Sequence, residues 1–170
     1  MPGRIEIGIN QGIRDVVAEQ LQARLSKELG KKISCAFIET YNLDSELGND
    51  ELEKISKDVL TDRVIQNFSF RDSLHPDSWR IEIGFLPGVT DNVGKTANEA
   101  IRDALGKEVD VYYSRVYALK GELGEEECGK IATMLYNPLV EKFLLHVPGS
   151  RSQPYIPKVI LKHEPKVERI

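Results

Sequence analysis

The chain has 170 residues, 41% hydrophobic and 29% charged, with a formal net charge of -4, which fits a globular protein and excludes collagenous and low-complexity classes. No apolar run reaches the roughly 18 residues of a bilayer span, and MPGRIEIGIN opens without an apolar leader core, so a cytoplasmic location with no membrane partner is expected. Cys35 and Cys128 form no C-x-x-C pair, which gives neither a disulfide framework nor a zinc site, and the acidic balance disfavours nucleic acid.

The chain repeats itself. Displaced by 76 positions, residues 4–55 align with 80–131 without a gap, and 19 of those 52 positions are identical. RIEIG occurs at Arg4 to Gly8 and again at Arg80 to Gly84. Each element can therefore be predicted twice. Alternation puts Ile5, Ile7 and Ile9 on one face of a strand and Arg4, Glu6 and Gly8 on the other, a half-buried pattern repeated by Ile81, Ile83 and Phe85. Gly12 and Gly88 mark a turn, and Asp15 and Asp91 stand where a helix begins. The stripe Val17, Leu21, Leu25, Leu29 predicts an amphipathic helix stopped by Gly30; Val93, Ala97, Ile101 and Leu105 repeat it before Gly106.

Ile33, Cys35, Phe37, Tyr41 and Leu43 then alternate, as do Val109, Val111, Tyr113, Tyr117 and Leu119. That length predicts one long bent strand, or two short ones with a bulge. A second helix carries Leu52, Ile55 and Val59, matched by Ile131, Met134 and Leu135, and Asn137-Pro138 closes the second copy. Last strands are expected over Val64 to Phe70 and Leu139 to Val147. Each unit reads β-α-β-(β)-α-β, so the expected class is α+β: two tandem ferredoxin-like modules with pseudo-two-fold symmetry on antiparallel or mixed sheets. The expected division is module 1 at 1–70, a linker at 71–79, module 2 at 80–147 and an extended tail or connector at 148–170.

Candidate chemistry is sparse. GVTDNVGKT, Gly88 to Thr96, approaches a phosphate-binding loop, but five residues rather than four separate Gly88 from Gly94, and the first copy has Ala18, Glu19 and Gln20 at the corresponding end. Lys95 and Thr96 are therefore expected to be an ordinary helix start. His75, His146 and His163 each occur in one copy only, with no partner at a suggestive spacing. Cys35 has strand-core parity, and Cys128 stands where the first copy has Leu52. The acidic run GELGEEECGK suits a solvated helix start, and Tyr112, Tyr113 and Tyr117 suit a sheet face. No residue is assigned a catalytic, cofactor-binding or metal-binding role.

The stretch PGVTDNVGKTANEAI, Pro87 to Ile101, with VYYSRVYALKGEL and the ending NPLVEKF, Asn137 to Phe143, resembles the PurS-like modules of phosphoribosylformylglycinamidine (FGAM) synthase. The first copy fits more loosely, with Gln11 for the proline and Ala18 for the second glycine. The tail PYIPKVILKHEPKVERI resembles the segment that joins paired modules to the large chain in fused enzymes. The resemblance implies a non-catalytic assembly subunit or N-terminal portion of an ATP- and glutamine-dependent ligase of purine biosynthesis. Its partners would be the synthetase and glutaminase subunits, with homo-oligomers possible, and ATP and magnesium would belong to the synthetase. The alternatives are a duplicated regulatory module that binds a small effector and a nucleotide hydrolase using Lys95 and Thr96.

Overall fold

A computed structural model describes residues 2–158. Six strands and four helices follow in the order β1 (Gly3–Ile9), α1 (Val16–Leu29), β2 (Ser34–Asp44), α2 (Asn49–Lys54), β3 (Gln66–Ser69), β4 (Trp79–Phe85), α3 (Asn92–Leu105), β5 (Asp110–Lys120), α4 (Glu125–Leu135) and β6 (Glu141–His146). After α2 the chain continues as a π-helical segment, Ile55–Leu60. The fold is α+β, with the strands in one antiparallel sheet of order β3-β1-β2-β5-β4-β6.

The sequence repeat recurs in three dimensions, since β1, α1 and β2 are displaced by 76 residues to give β4, α3 and β5. The two copies meet where β2 pairs with β5, from Ser34 opposite Lys120 to Asp44 opposite Asp110. Within that run Glu39 faces Arg115, its own equivalent in the other copy, so the pairing is two-fold symmetric about this pair. The ladder is continuous through each 11-residue strand, without the bulge that the sequence left open.

Two aspartates show why the helices start where they do. Asp15 caps α1 by accepting from the Ala18 amide at 3.1 Å, and its other oxygen accepts from Phe37 N on β2 at 3.3 Å. Asp91 does the same for α3, with Gly94 N at 2.8 Å and Tyr113 N on β5 at 2.7 Å. Each carboxylate thus satisfies an orphan amide of a helix start and fixes that start over the following strand. At the other ends Gly30 and Gly106 adopt the left-handed conformation that terminates both helices.

The helices cover one sheet face, and each cluster there mixes the two copies. Ile5, Ile7, Leu43 and Ile55 pack with Ala97, Ile101 and Val111. Leu21, Leu25 and Ile33 pack with Ile81, Ile83, Leu119 and Ile131. The apolar stripe of each long helix thus joins strand residues of the other copy, and neither cluster is complete without both.

Several sequence-based expectations need correction. The stripes turn by one residue: Ala18, Leu21 and Leu25 are buried on α1, and Gly94, Ala97 and Ile101 on α3, whereas Val17 and Val93 face outward. Gly94 lies so close to the Val111 carbonyl that the stripe there has no room for a side chain. Met134 is also exposed. The last strands begin later than expected, leaving Val64 and Leu139, both more than four-fifths exposed, in the turns before β3 and β6. The largest correction concerns the polar face of β1 and β4: Arg4, Glu6, Arg80 and Glu82 are buried, because the chain after β3 and the chain after β6 cross over that face.

Gly94→Ala should destabilise the fold by about 1–3 kcal/mol, because the added Cβ overlaps backbone rather than a flexible side chain. The equivalent position in the first copy already holds alanine, Ala18. Urea denaturation of the variant against wild type measures the difference; equal midpoints would contradict this packing.

Candidate functional site

The most unusual chemistry lies on the sheet face away from the helices. The repeated Arg-x-Glu of RIEIG places Arg4 and Glu6 on β1 and Arg80 and Glu82 on β4. Arg4 Nε donates to Glu6 Oε2 at 3.1 Å, and its Nη1 crosses β2 and β5 to reach Glu82 Oε2 at 2.8 Å. Asn42 on β2 accepts from the same Nη1 at 3.2 Å through its Oδ1, while its Nδ2 donates to Ser114 Oγ. Ser114 Oγ in turn donates to Glu82 Oε2, and His146 Nε2 on β6 lies 2.8 Å from Glu82 Oε1.

Arg80 has no carboxylate in direct contact among the described residues. Its Nη1 donates to the carbonyls of His75, Pro76 and Ser78, and its Nη2 to the Ser150 carbonyl at 2.6 Å. One guanidinium therefore ties the segment before β4 to the segment after β6. The segments also interlock through Gly149 N, which donates to the Pro76 carbonyl. Above Arg4, Leu74 N donates to Glu6 Oε1, and Tyr155 N donates to Asn42 Oδ1.

The glycine of each RIEIG makes room for these crossings. A Cβ on Gly8 would stand 3.1 Å from Leu74 Cδ1, and one on Gly84 would overlap the Tyr155 ring. Tyr155 is buried there, its hydroxyl donating to the Phe85 carbonyl and Lys142 lying 5.3 Å from its ring centroid. The repeat thus encodes a covered, charged sheet face, with a different segment over each copy.

Burial alone would push the Glu82 carboxyl up. The His146 hydrogen bond, the charge and hydrogen bond of Arg4 and the Ser114 hydroxyl outweigh it and hold the group down at about 2. Burial likewise lowers Arg4, but Glu82 and then Glu6 raise it to a net upward shift. Burial lowers Arg80, and nearby Arg4 adds to that.

The structure places the other sequence candidates apart from this network or makes them inert. Gly88 to Thr96 forms the turn into α3. There Asp91 itself occupies the Gly94 amide that a phosphate would require, Lys95 points to solvent, and Thr96 Oγ1 donates to the Asn92 carbonyl of its own helix. Beside this turn is an open cavity of about 430 Å³ bordered by Lys95, Tyr112 and Lys158, the last paired with Asp44. Burial pushes the Cys35 thiol up to about 12 and the Cys128 thiol up to about 11, so neither is a thiolate at neutral pH. Cys128 is fully buried, whereas Cys35 is only partly so.

His75 lies in the segment over the sheet, its titration lowered by burial, and His163 lies outside the described residues. Glu127 accepts from Gly124 N at the start of α4 and pairs with Lys31 at 2.8 Å, so the acidic run does cap a helix. Tyr113 packs edge-on to Tyr41 and donates to Glu39, and Tyr117 packs on Phe37. Among the described residues no group of three His, Cys, Asp or Glu side chains could hold a metal ion, and no helix is long and apolar enough to cross a membrane.

Reading the sequence missed the role of Arg4, Glu6, Arg80 and Glu82. One signal was available: a face turned to solvent has no need to repeat an arginine, a glutamate and a glycine together.

A carboxyl whose folded pKa is depressed contributes stability above its unfolded pKa and loses that contribution as pH falls through the folded value. For Glu82 the window runs from about 4.5 down to about 2. Glu82→Gln should destabilise the protein by about 3–5 kcal/mol at pH 7, since it leaves Arg4 buried without its main counter-charge. The stability difference from wild type should then shrink through that acid window. Urea midpoints measured at several pH values test this; a difference independent of pH would overturn it.

No protein-family model and no curated protein sequence matches the chain, so the functional reading rests on the residues and their geometry.

Proposed function

We propose that the two repeats are tandem ferredoxin-like modules that serve as a non-catalytic assembly subunit, or N-terminal portion, of FGAM synthase. In this reading the chain docks the glutaminase onto the synthetase and supports transfer of ammonia between them. ATP, magnesium and the reactive cysteine belong to those partners. The reading begins with the resemblance of Pro87 to Ile101, and the observation that carries it furthest is how the reactive groups are used. Glu82, His146, Ser114 and Arg4 gather on the described sheet face with Glu6 and Asn42, and they hydrogen-bond to one another under a cover of chain. A general acid or nucleophile must reach substrate. This cluster does not.

The near-phosphate loop supports the same reading. Its Gly94 amide is committed to Asp91, whose other oxygen accepts from Tyr113 N on β5, so the turn positions α3 on the sheet rather than presenting that donor to a nucleotide. Two copies related across β2 and β5 share one continuous sheet with two similar ends, an arrangement suited to holding two partners together.

The test is reconstitution. The chain should co-migrate with an FGAM synthetase and its glutaminase from the same cell in size-exclusion chromatography. It should raise glutamine-dependent amidation while leaving ammonia-dependent amidation by the synthetase unchanged. Failure to co-migrate with either partner, or equal glutamine-dependent rates with and without the chain, would overturn the proposal.

A further inference from the structure

The two segments that cover the sheet are held in different ways. The first, residues 71–78, joins β3 to β4, and its Leu74 packs with the buried residues Ile38, Val116 and Ala118. The second, residues 147–158, contains no helix or strand, and none of the three apolar clusters includes any of its residues. Tyr155 is its one buried hydrophobic side chain. Its other attachments are polar and lie outside the strand ladders. Arg80 Nη2 donates to the Ser150 carbonyl, Arg4 Nη1 to the Gln153 carbonyl, Tyr155 N to Asn42 Oδ1 and Gly149 N to the Pro76 carbonyl. Lys158 pairs with Asp44. Removing this segment therefore breaks no strand pairing and opens no apolar cluster.

We propose that residues 147–158 form a strap that opens as a unit while the six-stranded sheet stays folded, with Tyr155 as its latch and Gly84 as the socket. The fit of latch to socket is close. A Cβ on Gly84 would stand 2.3 Å from the Tyr155 ring, so a glycine is what admits the tyrosine there. Closure also leaves polar atoms unmet. Ser152 Oγ in the strap, and Arg4 Nη2, Arg80 Nε and Thr40 Oγ1 on the face below, are buried without partners among the described residues. Their separation from water opposes the burial of the tyrosine, so the strap closes by a small margin, the property of segments that open locally. Opening does not dismantle the network beneath. Glu82 keeps Arg4, Ser114 and His146, and Arg4 keeps Glu6 and Asn42. The open state thus presents a charge-paired polar face with no group freed for catalysis, and the strap decides whether that face meets solvent. This inference does not rest on the assembly role, because the strap opens in the isolated chain.

Hydrogen exchange of the full chain, followed by mass spectrometry at pH 7 in low urea, separates the strap from the sheet. Peptides carrying Gly149, Ser150 and Tyr155, whose amides are hydrogen-bonded in the closed form, should exchange about a hundredfold faster than those of the β2–β5 ladder. Their exchange should depend little on urea, since opening exposes little surface. Tyr155→Ala removes the latch and Gly84→Ala fills the socket. Each should speed strap exchange about tenfold further and leave the β2–β5 ladder within about twofold. The double variant should go no further than either single one, because both changes release the same contact. Strap amides as slow as the ladder, variants that speed both regions alike or neither, or additive effects in the double variant would overturn the proposal.

Discussion

A carboxylate sealed from water must find its compensation inside the protein, and Glu82 finds it from three other strands. Arg4 reaches it from β1, Ser114 from β5 and His146 from β6. The Arg4 to Glu82 contact spans the junction of the repeats, so the charge balance of the second copy depends on an arginine of the first. Without this pairing the chain could not cover the face. A buried ion left alone costs several kcal/mol, more than the apolar contacts of a short covering segment supply. The pairing is therefore the condition on which the linker and the tail lie across the sheet.

The covering segments follow from that condition. The two Nη atoms of Arg80 donate to four backbone carbonyls, three from the chain before β4 and one from the chain after β6. Backbone carbonyls are available from any sequence, so these segments need few specific side chains beyond the two that fill gaps. Those are Leu74 over Gly8 and Tyr155 over Gly84. A tyrosine fits the second site because its ring fills the space above a glycine while its hydroxyl meets the Phe85 carbonyl. The duplicated sheet is nearly symmetric, whereas its two covers differ, and a groove beside Arg4 lies where the covers meet around the first copy.

Much of the fold was legible because it was written twice. Strand parity, both Asp caps and both glycine stops could be checked between copies, and the elements recur at the predicted offset. What could not be read was the third dimension of the polar face. Alternation of apolar and charged residues distinguishes two faces of a strand, but it cannot say that a distant segment will return to cover the charged one. The one-residue turn of the helix stripes has a similar origin. Val17 and Val93 are more apolar than Ala18 and Gly94, yet the smaller residues face the sheet, because the Asp caps hold the first turn close against β2 and β5. Close approach selected size over hydrophobicity.

The two copies put the same arginine to different structural use. Arg4 Nε and Nη1 are given chiefly to Glu6, Asn42 and Glu82 within the sheet, whereas the two Nη atoms of Arg80 are given to backbone carbonyls of the covering segments. Each guanidinium also keeps one buried nitrogen without a partner among the described residues, Nη2 on Arg4 and Nε on Arg80. The first arginine balances charge across the junction of the copies and the second fastens the covers. One repeated tripeptide therefore serves two ends, because the segments that return over each copy differ.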